Sequence, residues 1–184
     1  ALHQAAYEHF ADFAEVFLNR AESAWRDGQP RMAALNLFYT ADMLFKAIES
    51  VFYGDVIRCS HLEYSYFRVR HFSQRLAESF DPAQNNNRMW YGQLLYYLRY
   101  SRNLPTFKVY EKDYQNCLAK LKLLRDIVAK VLDYLGKHNG CIQKSIATGC
   151  QIEPATLTGI LSRMEEKKLI KRQTKDGNKR SLYV

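Results

Sequence analysis

Apolar positions recur every three or four residues through the first two thirds of the chain, and that period predicts helices. His3 to Asp27 carries the first such pattern, broken by Gly28-Gln29-Pro30. Pro30 to Tyr53 carries the second, with Ala34, Leu37, Ala41, Leu44, Ile48 and Val51 at helical spacing and Gly54 placed to end it. A third pattern covers about His61 to Phe80 and gives way to the polar loop Asp81-Pro82-Ala83-Gln84-Asn85-Asn86-Asn87. A fourth runs from Met89 to Asn103 and stops short of Pro105. A fifth starts near Glu111 and continues to about Leu135 with no Gly or Pro inside it. Such an unbroken helix is expected to serve both the N-terminal bundle and whatever follows it.

The last third changes character. Glu153 and Pro154 open a short helix, with proline at the first helical position, where its missing N–H is harmless. Leu157, Ile160, Leu161 and Met164 then form one apolar stripe at i, i+3, i+4 and i+7. Thr156, Thr158, Gly159, Ser162 and Arg163 are left on the other faces, and they are small, hydroxylated or cationic. Side chains of these kinds can approach bases and phosphates without steric conflict. Leu169 to Thr174 and Arg180 to Val184 read as two short strands, with Asp176-Gly177 as a hairpin turn signal between them. The expected order is therefore helix, turn, helix and basic β-hairpin, an order that places one helix in a major groove and the hairpin on flanking phosphates.

Charge sharpens this reading. The chain of 184 residues has a formal net charge of +8. From Gly136 to Val184 there are ten Lys/Arg against four Asp/Glu, a net of +6, which leaves only +2 for the preceding 135 residues. Between Lys167 and Arg180 alone, seven Lys/Arg face one Asp. Polyanion affinity is thus expected to belong to the C-terminal part. Thr156, Thr158, Ser162 and Arg163 are the candidates for base edges, Lys144, Lys171, Arg172, Lys175, Lys179 and Arg180 for phosphates, and Gly159 and Asn178 are counted with them as DNA-binding positions. A run of lysines alone would read as a solvated turn; directly behind a groove-sized helix it reads as a wing.

The same residues resemble the MarR-type winged helix-turn-helix of bacterial and archaeal regulators. Gln143-Lys144-Ser145-Ile146-Ala147 looks like the first helix of the motif, and Ile152-Glu153-Pro154-Ala155-Thr156-Leu157 resembles the turn into the recognition helix. Met164-Glu165-Glu166-Lys167-Lys168-Leu169-Ile170 is similar to the family's exit, and Asp176-Gly177-Asn178-Lys179-Arg180-Ser181 falls at the wing tip. Lys168 departs from a common glycine, and the family's C-terminal dimerisation helices do not follow. Pairing is therefore expected from the bundle upstream.

That bundle resembles the HEPN superfamily of small helical domains. The matching stretches are Ala33 to Ala41, Leu44 to Ile48, Val51-Phe52-Tyr53-Gly54, Ser60-His61-Leu62 and Tyr100-Ser101-Arg102-Asn103. HEPN ribonucleases require a histidine four to six residues after the arginine. Arg102-Asn103 begins that motif, but Leu104-Pro105-Thr106-Phe107 follows, with Phe107 where the histidine would stand. Phenylalanine can neither accept nor donate a proton, so the acid/base role is empty. Arg102 and Asn103 are read as a remnant of such a site, with Arg102 in a buried hydrogen bond or on a phosphate.

Other chemistry is not signalled. Gly-rich phosphate loops, GxSxG, HExxH and paired-carboxylate constellations are missing from the sequence. Cys59, Cys117, Cys141 and Cys150 form no CxxC pair, and the five histidines are scattered, so neither a metal nor a cofactor is expected. A reduced, cytoplasmic location is the simplest account of the cysteines. No apolar run approaches 18 residues, so no membrane partner is expected. The chain begins at Ala1 rather than Met, as a piece of a longer product would. The 13 Tyr, 10 Phe and two Trp are concentrated before Tyr114, where tyrosines can fill helix interfaces, hold flat ligands or form a dimer face.

The fold expected is mainly α: an HEPN-like helical bundle over 1–125, then a winged helix over 126–184 with a small β-hairpin wing. The function expected is a non-enzymatic transcriptional regulator on double-stranded DNA. It would be a homodimer through the bundle and open to a small-molecule or nucleotide effector. The alternatives are an RNA-directed HEPN effector or toxin component, and a protein–protein adaptor that uses the winged helix.

Overall fold

Gly28 and Pro30 together make the first turn of the fold. In the computed structural model, which describes residues 2–53, 56, 58–137, 154–166, 173–174 and 182–183, α1 (Leu2–Arg26) ends on Gly28 at φ +69°. Gln29 N–H donates to Ala24 O at 2.8 Å and Gly28 N–H to Trp25 O at 3.2 Å, the paired bonds that close a helix with a left-handed glycine. Pro30 then opens α2 (Pro30–Tyr53) at the position where a proline costs no hydrogen bond. The two long helices pack side by side along much of their length.

α2 is the centre of the bundle. It packs against α1, α3 (Leu62–Val69), α5 (Asn85–Asn103) and α6 (Glu111–Lys137). Ala34, Leu37, Ala41, Leu44 and Ile48, the stripe read from the sequence, are all buried. So are the polar residues Asn36, Thr40, Asp42, Glu49 and Ser50 on other faces of the same helix. Asn36 Nδ2 donates to Met32 O at 2.8 Å and Thr40 Oγ1 to Asn36 O at 2.8 Å, so these two satisfy themselves on the helix backbone. Asp42 accepts from Lys46 Nζ at 2.5 Å, and Glu49 lies 3.8 Å from the Arg68 guanidinium, which stacks over the Tyr53 ring.

The third expected helix is divided. Residues 61–80 form α3, a 3-10 turn (Arg70–Phe72) and α4 (Gln74–Phe80). The apolar positions Leu62, Tyr66, Val69, Leu76 and Phe80 keep helical spacing, so periodicity alone gives no reason for a break. The reason is tertiary. Tyr66 Oη donates to Ala77 O at 2.9 Å, yet eleven residues of straight helix would hold these groups about 16 Å apart along its axis. Ser73, extended at φ −157°, lets the chain fold back and caps α4 by accepting from Leu76 N–H at 3.2 Å. Ser73→Ala should lower stability by about 1 kcal/mol, measured by urea unfolding, without changing the denaturant slope.

α5 begins at Asn85, four residues before the expected Met89. The asparagines occupy its first turn, and Asn87 is buried with Nδ2 donating to Asp81 O at 2.9 Å. α6 runs unbroken from Glu111 to Lys137 and crosses the expected domain boundary at 126.

Tyrosines join these elements through their rings and their hydroxyls alike. Tyr91 Oη donates to Phe80 O at 2.9 Å, and Tyr114 Oη donates to Ala21 O at 3.1 Å while its ring stacks on Trp25 at 4.0 Å. Each spends its one polar atom on a carbonyl of a neighbouring helix, so the bundle carries aromatic bulk without stranding those hydroxyls. Burial pushes the Tyr66 and Tyr114 hydroxyls up to about 12.

Candidate nucleic-acid interface

Pro154–Glu166 is helical and forms α7, as its apolar stripe predicts. Leu157 and Leu161, one turn apart, are buried and belong to the same hydrophobic cluster as the bundle core. α7 packs against α2, so the central helix of the bundle also carries this one. Thr158 and Gly159 are exposed, and Ser162 is half-buried. Leu157 and Leu161 are therefore spent on packing, while Thr158 and Gly159 are turned to solvent. A Cβ built at Gly159 would meet nothing within 4 Å. No acidic residue stands in the first turn of α7. Thr156 and Arg163 lie within the helix, and nothing is described of their side chains.

Downstream, Gln173–Thr174 (β1) pairs antiparallel with Leu182–Tyr183 (β2), with Gln173 opposite Tyr183 and Thr174 opposite Leu182. These pairs fall inside the two strands expected from the sequence. Lys144, Lys171, Arg172, Lys175, Asn178, Lys179 and Arg180 lie outside the described residues, as do Cys141 and Cys150.

The second candidate region is the end of α5. Arg102 is exposed on the last turn, which corrects the expectation of a buried hydrogen bond. A cation there faces the carbonyl end of the helix, where the dipole favours it. Asn103 is also exposed and donates to Arg99 O at 3.0 Å, one turn back on its own helix. Phe107 is buried against the rings of Tyr96, Tyr100 and Tyr97, at 5.0, 6.1 and 6.4 Å. The residue where an HEPN histidine would stand is thus the apolar anchor of the α5–α6 loop. Its N–H bonds Leu104 O at 3.0 Å, and Arg31 Nη1 reaches the same carbonyl from α2 at 3.3 Å.

Sequence reading overlooked the ionic pairs on α2 and a cleft between α5 and α6. The spacing of Asp42 and Lys46 was visible, but their burial was not. Cys117 is buried, its thiol raised to about 12 by burial, as suits a small core residue. No helix among the described residues is long and apolar enough to cross a membrane.

Comparison with known proteins bears on the C-terminal part. No curated protein matches the chain. Residues 129–182 match the MarR family, a stretch that takes in the end of α6, all of α7, β1 and the first residue of β2.

Proposed function

We propose that the chain is a DNA-binding transcriptional regulator of the MarR type. α7 would enter the major groove with Thr156, Thr158, Gly159, Ser162 and Arg163 toward the bases, and the segment joining β1 to β2 would act as a basic wing. The observation that carries this reading is the two-sidedness of α7 within the family match: Leu157 and Leu161 packed inward, Thr158 and Gly159 facing out. Residues 1–125 and 126–184 are the two functional parts, with α6 shared between them.

The bundle would supply the pairing that a two-fold operator requires, with half-sites about 34 Å apart. α1 offers a strip for that contact: Phe13 and Val16 are exposed, and Phe17 lies between Phe13 and Tyr39 at 6.1 and 5.3 Å. An HEPN-like ancestry for the bundle belongs to the same proposal. Its support is the placement of Arg102-Asn103 on the last turn of α5, just before the bundle's final helix.

The test is a pair of substitutions on α7, measured by fluorescence anisotropy with double-stranded DNA. Arg163→Ala should cost about 1–3 kcal/mol of binding and relax sequence preference, because a base contact discriminates between sequences. Gly159→Ala should stabilise the fold by about 0.5–1 kcal/mol, since a mid-helix glycine is costly and its Cβ has room. The same change should weaken DNA binding if the helix backbone approaches the groove at that point. Unaltered affinity and preference in both variants would remove α7 from the interface.

A further inference from the structure

A cleft of about 410 Å³ opens between the first half of α5 and the first half of α6. That volume lies in the range of small-molecule sites. Met89 and Trp90 supply an apolar surface, Gln93 and Asn116 supply amides, and Asp113 and Lys120 supply opposite charges. The two residues stand two turns apart on α6, with their backbones about 10 Å apart along the helix. Neither forms an ion pair among the described residues.

Lys120 is the more unusual of the two. Its ammonium donates to Asn87 Oδ1 and lies 5.0 Å from the Phe80 ring centre and 5.7 Å from that of Trp90. These contacts hold the cation in place without neutralising it, and burial draws its pKa below the ordinary lysine value. Asp113 is half-buried in the first turn of α6, where the helix dipole favours a carboxylate. An ammonium is only a donor and a carboxylate only an acceptor, so the cleft specifies polarity at each end. A simple anion would satisfy Lys120 and be repelled by Asp113, and a simple cation would meet the reverse.

We propose that this cleft binds a small dipolar molecule. A planar ring would lie on Met89 and Trp90, with a carboxylate or phosphate against Lys120 and an ammonium or N–H edge against Asp113. The amides of Gln93 and Asn116 complete the contact between the two charged ends.

The experiment is isothermal calorimetry on the full chain with 4-(aminomethyl)benzoate as the dipolar probe. Benzoate and benzylamine serve as its two halves. The dipolar probe should bind at least roughly tenfold tighter than either half, a difference of about 1.4 kcal/mol. Lys120→Gln should reduce it to the level of benzylamine, and Asp113→Asn to the level of benzoate. Lys120→Arg should retain the preference, which separates loss of charge from loss of packing against Phe80. Equal binding of all three probes, no binding at millimolar concentration, or indifference to both Lys120→Gln and Asp113→Asn overturns the proposal. Calorimetry reads the cleft in the absence of DNA, so its outcome is independent of whether α7 binds an operator.

Discussion

Replacing Lys171, Arg172, Lys179 and Arg180 together by alanine should flatten the salt dependence of DNA binding by roughly 3–4 in log–log slope. Each phosphate neutralised on duplex DNA contributes about −0.9 to that slope through counterion release, so four lost contacts set the size of the change. Across a fourfold rise in salt, the intact protein should then lose about a hundredfold more affinity than the variant does. The formal net charge falls from +8 to +4 by the same substitution. That removes most of the +6 carried from Gly136 onward, while α7 keeps its own Arg163. Anisotropy titrations against a duplex at several salt concentrations measure both quantities. A slope unaltered within error would show that the segment between the strands does not touch phosphate, and the wing reading would go with it. Equal weakening for all sequences is the further expectation, since phosphate contacts carry no base information.

Lys46→Met should destabilise the bundle by about 3 kcal/mol at neutral pH, because it leaves a buried carboxylate without its cation. Asp42 and Lys46 sit on α2 with side chains 11% and 16% exposed and 2.5 Å apart. Burial raises the Asp42 carboxyl above its ordinary value, and the hydrogen bond and charge of Lys46 pull it back. With Lys46 gone, only the raising influence remains. A raised folded pKa means that the folded state takes up a proton more readily than the unfolded chain does. The deficit of the variant should therefore be largest near neutrality, shrink as pH falls through the folded pKa, and vanish near the unfolded carboxylate value of about 4. Adding Asp42→Asn to Lys46→Met should recover most of the loss, because an uncharged pair in a packed site costs little. Urea melts of the single and double variants from pH 7 down to pH 4 provide the check. A deficit that does not depend on pH would place the effect in packing of the lysine stem and not in charge.

Much of the α-helical layout could be read from one-dimensional pattern. α1, α2, α5 and α6 follow from period-3.6 apolar spacing together with Gly28, Pro30 and Pro105 at their edges. α7 follows from Pro154 and the Leu157/Leu161 stripe. The break within residues 61–80 did not follow, because the hydrogen bond that spans it, between Tyr66 and Ala77, exists only after the chain has turned. Ser73, a good capping residue three positions before Leu76, was the available signal. Of the two roles expected for Arg102, the buried hydrogen bond falls with its exposure, for a related reason. A local motif says which residues are adjacent in sequence, while exposure depends on what packs across the helix end.

The candidate site divides the same way. That α7 is two-sided was legible, since small and hydroxylated residues alternate with leucines at a helical period. That its apolar side meets α2 was not, because a stripe names a face and never its partner. The charged residues of α2 show this most plainly: Asp42, Lys46 and Glu49 look like an ordinary solvated face until α2 is enclosed on several sides.

Sequence by itself determined that α1, α2, α5, α6 and α7 are helices, the turn at Gly28 and Pro30, the concentration of positive charge after Gly136 and the chemistry α7 can present. These are local properties, set by backbone sterics, hydrophobic period and the count of ionised groups. Only the tertiary structure decided that α2 is the central helix, that tyrosine hydroxyls join neighbouring elements, and that Asp113 and Lys120 share a cleft beside Trp90. Those facts depend on which surfaces exclude water from one another, and burial is a property of the assembled chain that no single segment carries.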